Sequence, residues 1–392
     1  MQLPGVNESQ TNIVATNAMQ TKDLPEIKTA QAFLLRPYQQ RAVEWALLAH
    51  TGLVIAPAGC GKTLIASSII KYAATKFPNV SFGWLAPTRE TCQQATNALI
   101  AAGVDISRVE VRCPHESVDF SKKAILIVDE AKHAPAVTWR RIIESCPGSV
   151  FGFDATPWSD DPERNEVLRK MFRDNQFEIR RDELAGVLAH ATVYMSTATD
   201  LHLQQKIDDQ IERLFADRKR YMQVSQPILR AMCAWEALTE IGICGNKTRN
   251  ANAIMLANCS STTGPTLVLV PRVSLGEFYV SKIEGSILVY SKMPKKARRE
   301  AMQEFLKGNI PTMIATSLAD EGLDLPNVET LIMVSGGRSA QKTIQRASRA
   351  LRRAPGKDTA LIHDFKDTFH PLAQAHSKKR VKCYRELGCS IP

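Results

Sequence analysis

The chain has 392 residues, 44% of them hydrophobic, enough to build two substantial cores. A formal charge of +10 favours polyanionic partners. No apolar run is long enough to cross a membrane, and the start of the chain lacks the basic-then-apolar order of a signal peptide. Nine scattered cysteines without a CxxC pair argue for reduced thiols, against a disulfide framework or a zinc knuckle, and for a cytoplasmic location without membrane partners.

Residues 1–30 are polar and carry no clear periodicity, so they read as an arm without assigned chemistry. From 31 to 195 short apolar runs alternate with helical stretches, with strands expected at 52–55, 81–85, 124–128 and 150–153. That rhythm predicts a doubly wound α/β domain built on a parallel sheet. Residues 196–262 change to helical spacing, with Ile207, Ile211, Leu214 and Phe215 on one face, and read as a helical bridge or insertion. Strand-like runs resume at 266–270, 286–290, 312–315, 330–334 and 359–362, which makes 263–370 a second α/β domain. A basic helical tail, 371–392, follows, with Val381, Tyr384 and Leu387 spaced to cover one face.

Chemistry enters at the end of the first expected strand. Ala56, Pro57, Ala58, Gly59, Cys60, Gly61, Lys62 and Thr63 follow an apolar run and open an apolar helix, the context that a phosphate-cradling loop requires. Small residues let backbone amides curl around phosphates, Lys62 supplies a point charge to the β and γ groups, and Thr63 offers a hydroxyl to Mg2+. Asp129 and Glu130 end a later buried strand. Beside a phosphate loop, Asp129 is expected to hold the Mg2+ that Thr63 also touches, and Glu130 to orient or deprotonate the water that attacks ATP.

Asp129, Glu130, Ala131, Lys132 and His133 form a signature that resembles the superfamily 2 helicases and translocases in their DExH branch, and the likeness runs from about Leu35 to Arg353. Leu35, Arg36, Pro37, Tyr38 and Gln39 resemble the family's adenine-reading element, with Arg36 and Gln39 at the nucleotide. Ala86, Pro87, Thr88, Arg89 and Glu90 resemble the motif that touches the nucleic-acid backbone through Thr88 and Arg89. Asp154, Ala155, Thr156 and Pro157 occupy the place of the coupling motif. There the family commonly has a small hydroxyl residue where this chain has Asp154, so coupling is assigned to Thr156 and His133.

In the second half, the strand before Arg272 resembles a further backbone-contacting motif. Residues 315–325 match the motif in which Thr316 and Ser317 meet phosphates while Gly322 and Asp324 approach the nucleotide. Residues 345–352 match the arginine-bearing motif, with Gln345, Arg349 and Arg352 in place and Ser348 where the family usually has glycine. Arg349 and Arg352, three apart, share a helix face and can stabilise charge on a transferred phosphoryl.

The resemblance implies two tandem RecA-like domains with an ATP cleft between them. It also implies an ATP- and Mg2+-dependent DNA helicase or translocase of replication, recombination or repair, like the compact enzymes of phages and bacteria. DNA is favoured over RNA, contacts are largely to the backbone, and the chain's compactness points to a protein partner for loading. Two alternatives stay open: an RNA helicase or RNA-stimulated ATPase, and a non-catalytic nucleic-acid clamp on the same fold.

Overall fold

A computed structural model describes residues 35–159, 161–184, 187–200, 202–219, 222–316, 325, 327–337, 339, 343–344, 346–348 and 357–392. The chain divides into two units, Met1–Glu183 and Leu184–Pro392. Each is an α/β unit on a six-stranded sheet in which every pairing is parallel.

The first sheet contains β1 (Gly52–Ile55), β2 (Phe82–Leu85), β3 (Val109–Arg112), β4 (Ile125–Asp129), β5 (Ser149–Asp154) and β6 (Gln176–Glu178), in the order β3-β2-β4-β5-β1-β6. The central strands are apolar because helices cover both faces; β1 and β2 are buried at every position. Helix Lys62–Lys76 contributes Ile65, Ile69 and Ile70 to this packing. On the other side Leu126, Val128, Trp139, Ile142 and Phe172 share one cluster. Burying such side chains contributes about 1.5–3 kcal/mol each. Strands β3 and β6 lie at the two edges and are too short and polar to stand out in the sequence.

The second sheet contains β7 (His190–Ala198), β8 (Thr266–Leu269), β9 (Ser286–Val289), β10 (Thr312–Ala315), β11 (Thr330–Met333) and β12 (Thr359–Asp367), in the order β7-β12-β11-β8-β10-β9. Here the expected boundaries move. Strand β7 pairs with β12 along its whole length, from His190 opposite Thr359 to Ala198 opposite Asp367, so the division falls after Glu183 and not at 195. The expected bridge is part of the second unit as well. Helices Leu203–Arg218 and Gln226–Ala237 pack through Ile207, Ile211, Leu229 and Cys233 onto Phe369 and Ala373.

The expected basic tail is a structural helix, Pro371–Glu386, that starts right after β12. Its Tyr384 is fully buried and Leu387 follows it into the core beneath β7 and β12. Of the basic cluster there, Lys378, Lys379 and Lys382 are exposed while Arg380 is 1% exposed. All nine cysteines are free thiols. No helix among the described residues is long and apolar enough to cross a membrane.

Candidate active site

Sheet order decides what meets at the carboxyl ends of the first unit's strands. Strand β5 lies between β1 and β4, with Asp154 in register with Ile55 and Phe153 in register with Asp129. The phosphate loop after β1 and the acid pair after β4 therefore flank the end of β5, in the crevice where open parallel sheets bind ligands.

The loop is wound by its glycines. Gly59 and Gly61 have φ of 87° and 88°, and a Cβ on Gly61 would stand 2.5 Å from the Gln39 side-chain nitrogen. Helix Lys62–Lys76 begins directly after Gly61 and aims its unpaired N–H groups at the crevice. The Lys62 ammonium donates to the Ala56 carbonyl at 3.1 Å, and the Ala56 N–H donates to the Asp154 carbonyl at 2.8 Å, tying the loop to β5. Thr63 is exposed at the first turn. Cys60 is buried, and burial pushes its thiol up, so it is inert and not a thiolate.

Arg36 and Gln39 stand at the start of helix Pro37–Ala49. The Gln39 amide is 3% exposed and engaged at both ends: its oxygen accepts the Arg36 N–H at 3.0 Å and its nitrogen donates to the Cys60 carbonyl at 2.8 Å. Tyr38 adds a hydroxyl bond to the same carbonyl at 3.1 Å. Together they brace the phosphate loop from behind. Tyr38 stands in the quoted element but had no role of its own in the sequence, because only the fold brings it to a carbonyl 22 residues away.

At the acid pair, Glu130 has φ of 52°, a conformation that non-glycine residues rarely hold. Its N–H donates to the Asp129 carboxylate at 3.0 Å, and its carboxylate pairs with Lys132. Burial, and after it the neighbouring Glu130 charge, push the Asp129 carboxyl up to about 6, against the pull of Lys62. Burial would raise Glu130 too, but Lys132, then Lys62 and His133, outweigh it and hold that carboxyl below its ordinary value. The two adjacent acids thus separate in acidity, and Glu130 is ionised at neutral pH.

Asp154 is the third carboxylate here and is 1% exposed. Its two oxygens accept the N–H of Lys132 at 2.9 Å and of Thr156 at 2.8 Å, so one side chain pins the turns that carry Glu130 and Thr156. Burial, then the Glu130 charge, push its carboxyl above the ordinary carboxylate value. The sequence flagged this position as a departure without revealing what it binds. His133 stacks on Trp139, with centroids 5.4 Å apart, and burial followed by Lys132 lowers its basicity toward a neutral imidazole. Arg164 steadies the same turn through the Lys132 carbonyl at 2.7 Å.

Among the other expected contacts, the Thr88 hydroxyl caps helix Arg89–Ala101, accepting the Thr91 N–H at 3.2 Å. Arg89 beside it is three-quarters exposed and lies 3.3 Å from Glu116. In the second unit Arg272 is exposed before helix Val273–Val280, while Thr316 is buried just past β10. Ser348 is buried and donates to the Ile344 carbonyl at 2.6 Å, so a hydroxyl in glycine's place is satisfied locally. Ser317, Gly322, Asp324, Gln345, Arg349 and Arg352 lie outside the described residues.

Comparison with known proteins finds helicases. Residues 32–111 match the family described as Type III restriction enzyme, res subunit, and residues 246–354 match Helicase conserved C-terminal domain. A DNA 3'-5' translocase, XPB2, of Sulfurisphaera tokodaii is 23% identical over 380 residues, covering 89% of this chain and 85% of the relative. A protein provisionally named DNA 3'-5' helicase Rad25, from Halobacterium salinarum, is 24% identical over 358 residues, 84% of this chain and 53% of the relative. The chain spans 42%, 53% and 52% of three such relatives, about half their length.

Two solved structures share the fold. The Hef helicase domain of Pyrococcus furiosus has a TM-score of 0.53 at 15% identity, covering 85% of this chain and 96% of that one. S. cerevisiae Dbp5 bound to RNA and ADP BeF3 has a TM-score of 0.57 at 14% identity, covering 91% and 94%.

Proposed function

We propose that this chain, a superfamily 2 helicase by its two family-model matches and its relatives, hydrolyses ATP with the Lys62, Asp129 and Glu130 constellation and uses the energy to move along or separate DNA strands. The observation that carries this reading is the convergence of the phosphate loop and the acid pair on either side of Asp154.

Lys62 and the amides of the loop bind and orient the phosphates of ATP. Glu130, kept ionised by Lys132, takes a proton from or orients the attacking water. Thr63 and Asp129 offer hard oxygen donors of the kind Mg2+ takes, and these two residues would hold it while it neutralised phosphate charge. Asp154 keeps the turn carrying Glu130 in register with Thr156. Arg349 and Arg352 complete the proposal by stabilising charge that spreads over the transferred phosphoryl. Arg36 and Gln39 belong to the nucleotide end, and Thr88, Arg89, Arg272, Thr316 and Ser317 to the strand-binding surface.

Relatives named as DNA 3'-5' translocase and helicase support DNA as the track and 3' to 5' as the direction. The deciding measurement compares ATP hydrolysis with single-stranded DNA, duplex DNA and RNA, beside strand displacement on forks, tailed and blunt duplexes. Stimulation by DNA together with opening of 3'-tailed duplexes is the expected result. Stimulation by RNA alone overturns the DNA track, and absence of hydrolysis under every condition leaves the clamp reading.

A further inference from the structure

A cavity of about 590 Å3 opens on the second unit between helix Gln226–Ala237, the loop after β11 and helix Pro371–Glu386. One wall is Trp235, 39% exposed, whose ring lies 6.1 Å from that of His376 at a 51° tilt. An indole left so open on a surface is a large apolar face for a flat partner. Gly337, at φ 108°, borders this wall: a Cβ there would rest in ordinary van der Waals contact with the Trp235 ring, 3.6 Å away.

The floor is rigid. Buried Arg249 donates to the Val334 carbonyl at 2.8 Å and buried Arg380 to the Gly337 carbonyl at 3.1 Å, which clamps the loop between them. Two cations line the same space. Arg272 is exposed beside it, and the Arg346 guanidinium is steadied by the Ser335 hydroxyl at 2.7 Å. No carboxylate lines the cavity among the described residues.

We propose that this cavity receives one unstacked base of a single nucleic-acid strand, with Trp235 stacking on its face while Arg272 and Arg346 meet the flanking phosphates. An aromatic face framed by cations, with no acid among the described lining residues, suits a base and its backbone, and stacking needs the base unpaired. A peptide would need carboxylates to match both arginines. The inference rests on the chain acting on nucleic acid, as proposed above, and adds a base-gripping point to a surface otherwise expected to touch backbone alone.

The test uses the full chain and its Trp235→Ala and Trp235→Phe variants, titrated with labelled oligothymidylate, oligouridylate and an abasic oligonucleotide of equal length. Trp235→Ala should weaken oligothymidylate binding about tenfold, since stacking on one aromatic carries roughly that much, and leave abasic binding unchanged. Trp235→Phe should keep most of the affinity, and both variants should keep the melting temperature and the ATP hydrolysis seen without nucleic acid. Equal affinity of Trp235→Ala and the parent for both base-bearing strands overturns the pocket alone, as does an equal loss on the abasic strand. A parent chain that binds none of the three overturns the nucleic-acid reading itself. A base-dependent loss confined to oligouridylate keeps the pocket and reassigns the strand to RNA.

Discussion

The buried carboxylate of Asp154 accepts the backbone N–H of Lys132 at 2.9 Å, fixing the turn in which Glu130 holds its left-handed backbone. Its other oxygen takes the Thr156 N–H, so two loops share one anchor. Asp154→Ala strands both donors in a partly buried site, and the first unit should lose about 2–4 kcal/mol by chemical denaturation. The turnover number should fall with it. Asp154→Ser, which restores one acceptor, should recover part of both; wild-type turnover in Asp154→Ala would remove the anchor from the mechanism.

Lys62→Ala takes away the point charge that the loop aims at phosphates. ATP hydrolysis should drop to background while binding to single-stranded DNA persists, measured by phosphate release and fluorescence anisotropy on the same preparation. Normal turnover would detach the loop from the reaction.

Glu130→Gln keeps the size of the side chain but removes its proton-accepting charge and weakens its pairing with Lys132. Hydrolysis should fall about a hundredfold or more with ATP still bound, read by single-turnover kinetics and retention of labelled ATP. Unchanged single-turnover rates would pass the water-activating role to another group.

Gln39 has both amide ends engaged behind the phosphate loop. Gln39→Ala should therefore loosen the loop and raise KM about tenfold for ATP and for GTP alike, as the loss of a pair of preorganising hydrogen bonds would. A change in the ratio of the two, with ATP alone affected, would instead give Gln39 the adenine-reading role that the family resemblance implies.

Asp364 accepts from Arg380 at 2.8 Å and from Tyr384 at 2.8 Å, all three buried beneath helix Pro371–Glu386. Asp364→Ala leaves the buried Arg380 guanidinium with only Asp367, 3.3 Å away and shared with Arg249, and should cost the second unit about 3–5 kcal/mol in thermal or urea unfolding. Lys378→Ala, an exposed neighbour, should cost almost nothing. Equal, small effects would return this helix to the status of a dispensable tail.

The glycine-rich loop and the acid pair were legible because each is local. Eight consecutive residues make the phosphate loop, two make the acid pair, and the apolar strands before them are short, buried and continuous, as at Gly52–Ile55 and Ile125–Asp129. Strands β3, β6 and β7 were not legible. Their residues are mixed in polarity at sheet edges, and their conformation is set by a neighbour far away in sequence, as β12 sets β7.

By itself, then, the sequence determined two α/β units, a glycine-rich loop after one strand and an acid pair after another, and a set of spaced motifs resembling nucleic-acid motors, since each depends on residues adjacent in the chain or one turn apart. Only the tertiary structure decided that β7 and the helices after it belong to the second unit, that the last helix is a buried brace, and that Gln39 and Asp154 act on loops about twenty residues away. Those facts rest on which strand ends lie side by side and which carbonyls are left for a buried side chain to meet, and strand order is a property of the folded sheet.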